Sequence, residues 1–492
     1  MRAFASSFHA WKSLERQEGV KVPHGLVFPL AVVEAIGAPH GLTLAAEEHT
    51  PEGPAGFDAI FISVLDSRCM VGAATHFAKW RVPFRRIDRG DRYPLVVAGG
   101  QALHNPLPMA PVADVIVIGD AEDPLPLLLV AWEKHRDNRP AFLSESATIP
   151  GVFVPSIHDT KRDTIVQSVS ADIGITLRQD IRVSHDGSRR VEIARGCKYK
   201  CAFCSLGWRT PVRENSAEQV IATIVKGGKR VHLQAGDAES HSGIDEIRTA
   251  LKAHGGSDQG WTGRLDSLFE NPDQTIPGQK RYAFGVEGVS ERLRRAVGKG
   301  YLTDDRLVED TARFFQSIEG DGKGRGAWHI ISGLPGERRY EELALAKVIQ
   351  RIDKQVRYST PRNLALHWQP FQPIPGTPMQ WCAGGTGARQ KVDALRFIES
   401  KCNFVRVRQL GGRTDTMALV CTVLARSDER GADLLEALAE RMVSPNEAAT
   451  IAGTTFGALD PDAPLPWDFV ATSFPKTTLR RAYDVMVSRL SA

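Results

Sequence analysis

Cys197, Cys201 and Cys204 stand in the stretch Val-Glu-Ile-Ala-Arg-Gly-Cys-Lys-Tyr-Lys-Cys-Ala-Phe-Cys, residues 191 to 204, at C-x3-C-x2-C spacing. Three thiolates gathered on so short a loop are soft ligands for a metal or an iron–sulfur cluster. On a cubane cluster three cysteines leave one iron without a protein ligand, and an open metal position is where a substrate or cosubstrate binds. The competing reading is structural zinc. Such a site takes four protein ligands, and no fourth Cys or His follows at finger-like spacing.

The elements that position this loop are visible as apolar runs. Val191 to Ala194, Val231 to Ala235, Tyr282 to Glu287, Ala327 to Ser332 and Leu364 to Gln369, with a further strand near Thr262 to Leu265, are separated by amphipathic helical stretches. This alternation predicts an α/β core of parallel strands, a barrel or partial barrel with its chemistry at the carboxyl ends. The cysteine loop follows the first of these strands. Upstream, Leu42 to Lys134 alternates short apolar runs with helical stretches and predicts an open Rossmann-like sheet of buried parallel strands. Gly99-Gly100 and Gly119-Asp120 follow two of its strand ends, the edge where open sheets bind ligands. Each glycine also reads as a tight turn. The expected organisation is a sheet domain over 1–140, a connector over 141–187, the core over 188–385 and a small α-rich accessory region over 386–492.

The cysteine loop, with Phe203 just before its last cysteine, resembles the signature of the radical S-adenosylmethionine (SAM) superfamily. That resemblance implies a (β/α)6 partial TIM barrel in which three thiolates hold a 4Fe-4S cluster. The fourth iron would be chelated by the amino and carboxylate groups of SAM, and reduction would release a 5'-deoxyadenosyl radical. It also implies cofactor contacts. Phe203 belongs to the loop itself. Gly236 and Asp237, after the second strand, stand where a Gly-Gly-Glu-type turn meets the SAM amino group; the plainer reading of Asp237 is a helix cap. Arg264, after the third, would pair with the SAM carboxylate or form a structural ion pair. Glu287, in Gly285-Val286-Glu287-Gly288-Val289-Ser290, would accept from the ribose hydroxyls or the amino group. A buried Glu there requires function or an ion pair. Ile331 and Gly333, in the Gly333-Leu334-Pro335-Gly336-Glu337 element, would contact adenine. The Pro373-Ile374-Pro375-Gly376-Thr377-Pro378 exit after the sixth strand resembles that of the subgroup with an N-terminal cobalamin-binding-like domain. The Gly99-Gly100 and Gly119-Asp120 segments resemble that domain. Arg68 stands where its cobalt-ligating histidine would be expected, so the resemblance leaves cobalamin open.

Bulk properties set outer bounds. The chain has 492 residues, 42% of them hydrophobic, and a net charge of +4, ordinary for a protein of two or three domains and pointing to no partner. Basic stretches at Arg81 to Arg92 and Arg406 to Arg413 read as phosphate contacts or as solvated surface. Seven cysteines, three of them grouped, argue for a reducing cytoplasm and against a disulfide framework. The spread of Cys69, Cys382, Cys402 and Cys421 argues against a second cluster. No signal-peptide core or apolar span is read. The resulting expectation is a radical SAM enzyme, and within that class a cobalamin-dependent methyltransferase, served by an electron donor such as flavodoxin or ferredoxin. Its substrate is open among nucleic acid, peptide and small molecule. The alternative is an iron–sulfur redox sensor or nucleic-acid-binding protein without catalysis.

Overall fold

Successive side chains of a strand point to opposite faces, so a sheet covered on both sides needs runs that are apolar throughout. The N-terminal runs are of this kind. The computed structural model describes residues 1–6, 24–46, 53–181, 188–258, 262–264, 281–317, 325–356, 363–387 and 391–491, except 392, 394, 397–399, 401, 403–404 and 410–414. Strands β1 (Arg2–Ser6), β2 (Thr43–Ala46), β3 (Ala59–Ser63), β4 (Leu95–Gly99), β5 (Val115–Val117) and β6 (Val152–Phe153) form one sheet in the order β2-β1-β3-β4-β5-β6. The first five are parallel and β6 is antiparallel. Phe4, Ile60, Ile62, Val96, Ala98 and Ile116 enter one core, and Ala3, Ala59, Phe61, Leu95, Val97 and Val115 enter the other. The strand order reverses between β1 and β3, the switch point at which doubly wound sheets open a crevice. A short strand, β7 (Ile165–Val166), pairs in parallel with Val470–Ala471.

The chain forms two units. One comprises Met1–Ser184, Val420–Phe456 and Asp462–Pro475; the other comprises His185–Leu419, Gly457–Pro461 and Lys476–Ala492. The region after 386, read from sequence as one accessory domain, is thus divided. Its apolar faces enter two cores: Leu434, Leu435 and Leu438 join Phe77 and Ile62 in the first unit, whereas Met486 joins Phe371 and Met379 in the second.

In the second unit, β8 (Arg189–Glu192) leads through Ile193 into β9 (Ala194–Arg195), which pairs antiparallel with β10 (Arg213–Glu214). The pair β9 and β10 brackets the cysteine loop. Strands β11 (Arg230–Gln234) and β12 (Ser257–Asp258) complete a parallel sheet in the order β12-β11-β8. A second parallel sheet runs β13 (Thr262–Gly263), β14 (Arg281–Glu287), β15 (Arg325–Ser332), β16 (Asn363–Pro370) and β17 (Val405–Gln409), in sequence order. Helix Glu342–Val356 buries Leu345, Val348, Ile349, Ile352 and Val356, the three-and-four spacing of a stripe facing a core. The α/β architecture with parallel strands is therefore present in both units. The run at Val405 is a sheet strand beside β16, where the sequence suggested part of the accessory region. The expected continuation of β13 at Leu265 lies outside the described residues.

Two glycines close the carboxyl edge of the first sheet. Gly100 has φ +131, and a Cβ there would fall 2.8 Å from the Val64 nitrogen; Gly119 has φ +107 and is backed by the Ser168 backbone. Gly56 also has a positive φ but has open space around it. Gly100→Ala should therefore cost about 1–3 kcal/mol in urea unfolding followed by circular dichroism, through strain and backbone collision together. Gly56→Ala should cost less, since it carries the strain alone.

Candidate metal centre

The cysteine loop is held by its backbone. Gly196 turns at φ +83, and a Cβ there would lie 2.8 Å from the Pro211 oxygen. The Cys204 amide donates to the Cys201 carbonyl (3.1 Å), and the Ala202 amide donates to the Val297 carbonyl (3.0 Å). The Trp208 indole N–H also donates to the Cys201 carbonyl, at 3.0 Å, and the Lys200 ammonium donates to the Gly207 carbonyl. Two further glycines let other backbones touch the loop. A Cβ on Gly236 would stand 2.7 Å from the Gly196 oxygen, and one on Gly298, at φ +90, would stand 3.3 Å from Cys201 Cα.

The three thiols are partly buried. Burial pushes each above the ordinary thiol value, Cys204 to about 11. Cys201 and Cys197 raise Cys204 further, Asp237 raises Cys197, and Lys299 lowers both Cys197 and Cys201. The thiols, Asp237, Glu287 and Lys299 thus share one electrostatic neighbourhood. A cationic metal group placed there would draw the thiols into thiolates, so the donor set suits a metal that brings its own charge. Among the described residues, no three His, Cys, Asp or Glu side chains converge on a single-ion site. A cubane places its cysteines on separate irons, which a more open loop can serve. Cys69, Cys382, Cys402 and Cys421 are all buried. Three of them, Cys69, Cys382 and Cys402, pack in apolar cores.

At the end of β14 the pairing with β15 slips between Gly285 and Glu287, and Glu287 adopts φ +66. Non-glycine residues seldom occupy that region except where their surroundings impose it. The carboxylate is buried and pairs with Lys299 at 3.3 Å, while the Lys299 ammonium also donates to the Gly285 carbonyl at 2.7 Å. Burial pushes the Glu287 carboxyl up and Lys299 pulls it back. For Lys299, burial acts downward, but Glu287, Tyr301 and Cys201 together hold its ammonium above the ordinary value. Lys299 is the ion-pair partner that a buried Glu287 demanded and that the sequence reading missed. Its signal was present: a lysine between Gly298 and Gly300, straight after a helix.

The other expected residues fall as follows. Asp237 occupies the N-cap position of the turn Ala238–Ser240, yet its side chain makes no capping bond. Arg264 lies between two aromatic rings, with its guanidinium carbon 3.8 Å from the Tyr199 centroid and 3.5 Å from that of Tyr301. Phe203 packs against the core that contains Ile331. Gly333, at φ +72, donates its amide to Glu337 (2.6 Å), and Glu337 pairs with Lys391 at 2.5 Å. The same turn, with Cys382, Thr386, Tyr483 and Met486, lines a cavity of about 430 Å³. Ser290 caps the helix Glu291–Ala296 and donates to Glu341 (2.6 Å). The cysteines, Gly236, Arg264, Glu287 and Gly333 all stand at or just beyond the carboxyl ends of parallel strands. In the basic stretch at Arg81 to Arg92, Arg85 pairs with Asp433 and Glu436, and the buried Arg89 pairs with Asp114. The side chains from Arg406 to Arg413 lie outside the described residues.

Residues 29–155 match the model of the N-terminal domain of radical SAM proteins. No curated protein matches the sequence at a significant level. Among solved structures, OxsB, a cobalamin-dependent SAM radical enzyme with aqua-cobalamin bound, aligns over 89% of this chain and 66% of its own, with 13% identity and a TM-score of 0.50. TsrM from Kitasatospora setae, a radical SAM methyltransferase with cobalamin and a [4Fe-4S] cluster bound, aligns over 77% of each chain with 14% identity and a TM-score of 0.47. SuiB from Streptococcus suis, bound to SAM, aligns over 47% of this chain and 51% of its own, with 12% identity and a TM-score of 0.30. The likeness to OxsB is one of fold.

Removing one member of a buried ion pair strands the other charge. Glu287→Gln should lower stability in urea unfolding by about 3–5 kcal/mol, and Glu287→Gln with Lys299→Met should recover most of that loss. Losses that simply add would show that the pair is uncoupled.

Proposed function

We propose that this chain, which carries the N-terminal domain of radical SAM proteins over residues 29–155, is a radical SAM enzyme. In this reading Cys197, Cys201 and Cys204 hold a 4Fe-4S cluster beside a SAM site, and cobalamin-dependent methyl transfer is the outcome. The observation that carries the reading is the partly buried triple-cysteine loop at a strand's carboxyl end, clamped between the backbones at Gly236 and Gly298 and backed by the Glu287–Lys299 pair. When bound and reduced, the cluster supplies the electron that splits SAM into methionine and a 5'-deoxyadenosyl radical.

The chain's own residues bind and orient. Lys299 offsets the negative charge of the thiolates and of Glu287. Gly236, lacking a side chain, lets the segment after β11 lie against the Gly196 carbonyl beside Cys197, and the Asp237 carboxylate that follows is the proposed acceptor for the SAM amino group. Arg264, held between the Tyr199 and Tyr301 rings, is the proposed partner of the SAM carboxylate, which a guanidinium can meet bidentately. The Glu287 carboxylate is the acceptor for ribose hydroxyls, and Ile331 with the turn at Gly333 is the proposed contact for adenine. Phe203 and the apolar core beneath the loop keep water from the reacting side.

The N-terminal unit supports the cobalamin part through its strand order, whose switch point lies at the ligand-binding edge of such sheets. Arg68 is folded onto Asp66 in an ion pair, so cobalt would take no ligand from that position. The proposed electron donor is a small redox protein of the flavodoxin or ferredoxin type. Among the described residues no helix is long and apolar enough to cross a membrane; the proposed cytoplasmic setting rests on the cysteine pattern, which argues against a disulfide framework. The alternative of a sensor or nucleic-acid-binding protein has no observation of its own: Arg85 and Arg89, in the basic stretch, are engaged in ion pairs within their unit.

Anaerobic reconstitution with iron and sulfide should give a brown protein that forms 5'-deoxyadenosine when dithionite and SAM are added. Cys201→Ala should lose both the visible absorbance and the product while keeping its far-ultraviolet circular dichroism. Retained SAM cleavage in that variant would sink the reading. Cobalamin absorbance that survives desalting would support methyl transfer, and its complete loss would remove that part.

A further inference from the structure

The cysteine loop meets the segment after helix Glu291–Ala296 through side chains as well as backbone. Tyr199 sits between Cys197 and Cys201, and Tyr301 follows Lys299 by two residues. Arg264, immediately after β13, lies between their rings at 3.8 and 3.5 Å. Three segments remote in sequence therefore meet at one cation. The neighbouring lysines engage rings less closely: Lys198 is 5.3 Å from the Tyr199 centroid and Lys200 is 5.3 Å from that of Trp208. A guanidinium is planar, so it can present a face to each ring at once, and it stays charged at any pH the protein survives. An ammonium is a compact point charge that cannot be layered in this way.

We propose that Arg264 is a positioning residue for the metal centre: stacked between Tyr199 and Tyr301, it fixes the cysteine loop before metal arrives and then holds a permanent positive charge beside the cluster, raising its reduction potential. The second half rests on the cluster reading given above; the first does not. Fixing the loop spares a cluster the cost of ordering its own ligands. A fixed nearby cation favours the more negative, reduced state of the cluster.

Two readouts on the full chain test this: hydrogen exchange of the peptide spanning 197–204 in metal-free protein, and the midpoint potential of the reconstituted cluster followed by electron paramagnetic resonance. Arg264→Ala removes both stacks and should speed exchange of the loop amides about tenfold, the loss of two partly exposed cation–π contacts. Arg264→Gln keeps a planar group without the charge and should shift the potential to a more negative value. Arg264→Lys keeps the charge and should hold the potential near that of the native protein while its loop still exchanges faster. Tyr199→Phe retains the ring and should leave both readouts unchanged, whereas Tyr199→Leu should loosen the loop; this pair decides the matter if Arg264→Ala fails to fold. Native exchange in both Arg264→Ala and Tyr199→Leu overturns the positioning role, and a native potential in Arg264→Gln overturns the electrostatic one. Should the native protein take up no cluster, the proposed function falls, and the exchange comparison still decides whether Arg264 positions the loop.

Discussion

Close approach of backbone to backbone around the cysteine loop is the constraint from which the rest of the site follows. Thiols that are to receive a metal must stay within reach of solvent, where side-chain packing alone holds a loop weakly. Here the main chain does the holding. Gly196 supplies the turn, Gly236 and Gly298 let neighbouring segments touch it, and the amide of Ala202 is tied to the carbonyl of Val297. A side chain at Gly236 or Gly298 would push the loop away from its supports, so these positions need glycine for contact as well as for conformation.

That tight packing also brings charges out of water, and their balance shapes the local chemistry. Glu287 and Lys299 are each buried and are tolerated there because they face one another. Cys201 lies close enough to feel both. The thiols consequently sit beside a fixed ion pair rather than in a neutral apolar pocket. In such surroundings it would take a metal's own charge to convert them to ligands. The left-handed backbone at Glu287 belongs to the same arrangement, since the slip in pairing between β14 and β15 turns its carboxylate toward Lys299.

The parallel strands explain how residues from 197 to 299 come into one electrostatic neighbourhood. Each βα unit returns the chain to the same edge of the sheet, so loops far apart in sequence open on a common side. In the first unit the same geometry produces a two-faced sheet, and helix Gly431–Glu440 from late in the chain supplies apolar cover for one face.

The sequence determined the local features. C-x3-C-x2-C spacing pointed to a candidate metal loop, and the apolar runs located β11, β14, β15 and β16 to within one or two residues, because thiol chemistry and strand burial are written in neighbouring residues. It also posed the right question about Glu287, namely what would pair with it. The tertiary structure decided the answers that depend on partners remote in the chain. These include Lys299 opposite Glu287, Arg264 between Tyr199 and Tyr301, Glu337 anchoring the turn at Gly333, and the division of the C-terminal region between two cores. Periodicity reports which face of an element is apolar, but not which surface will cover it. A stack or ion pair that joins separate segments becomes fixed only when packing brings them together.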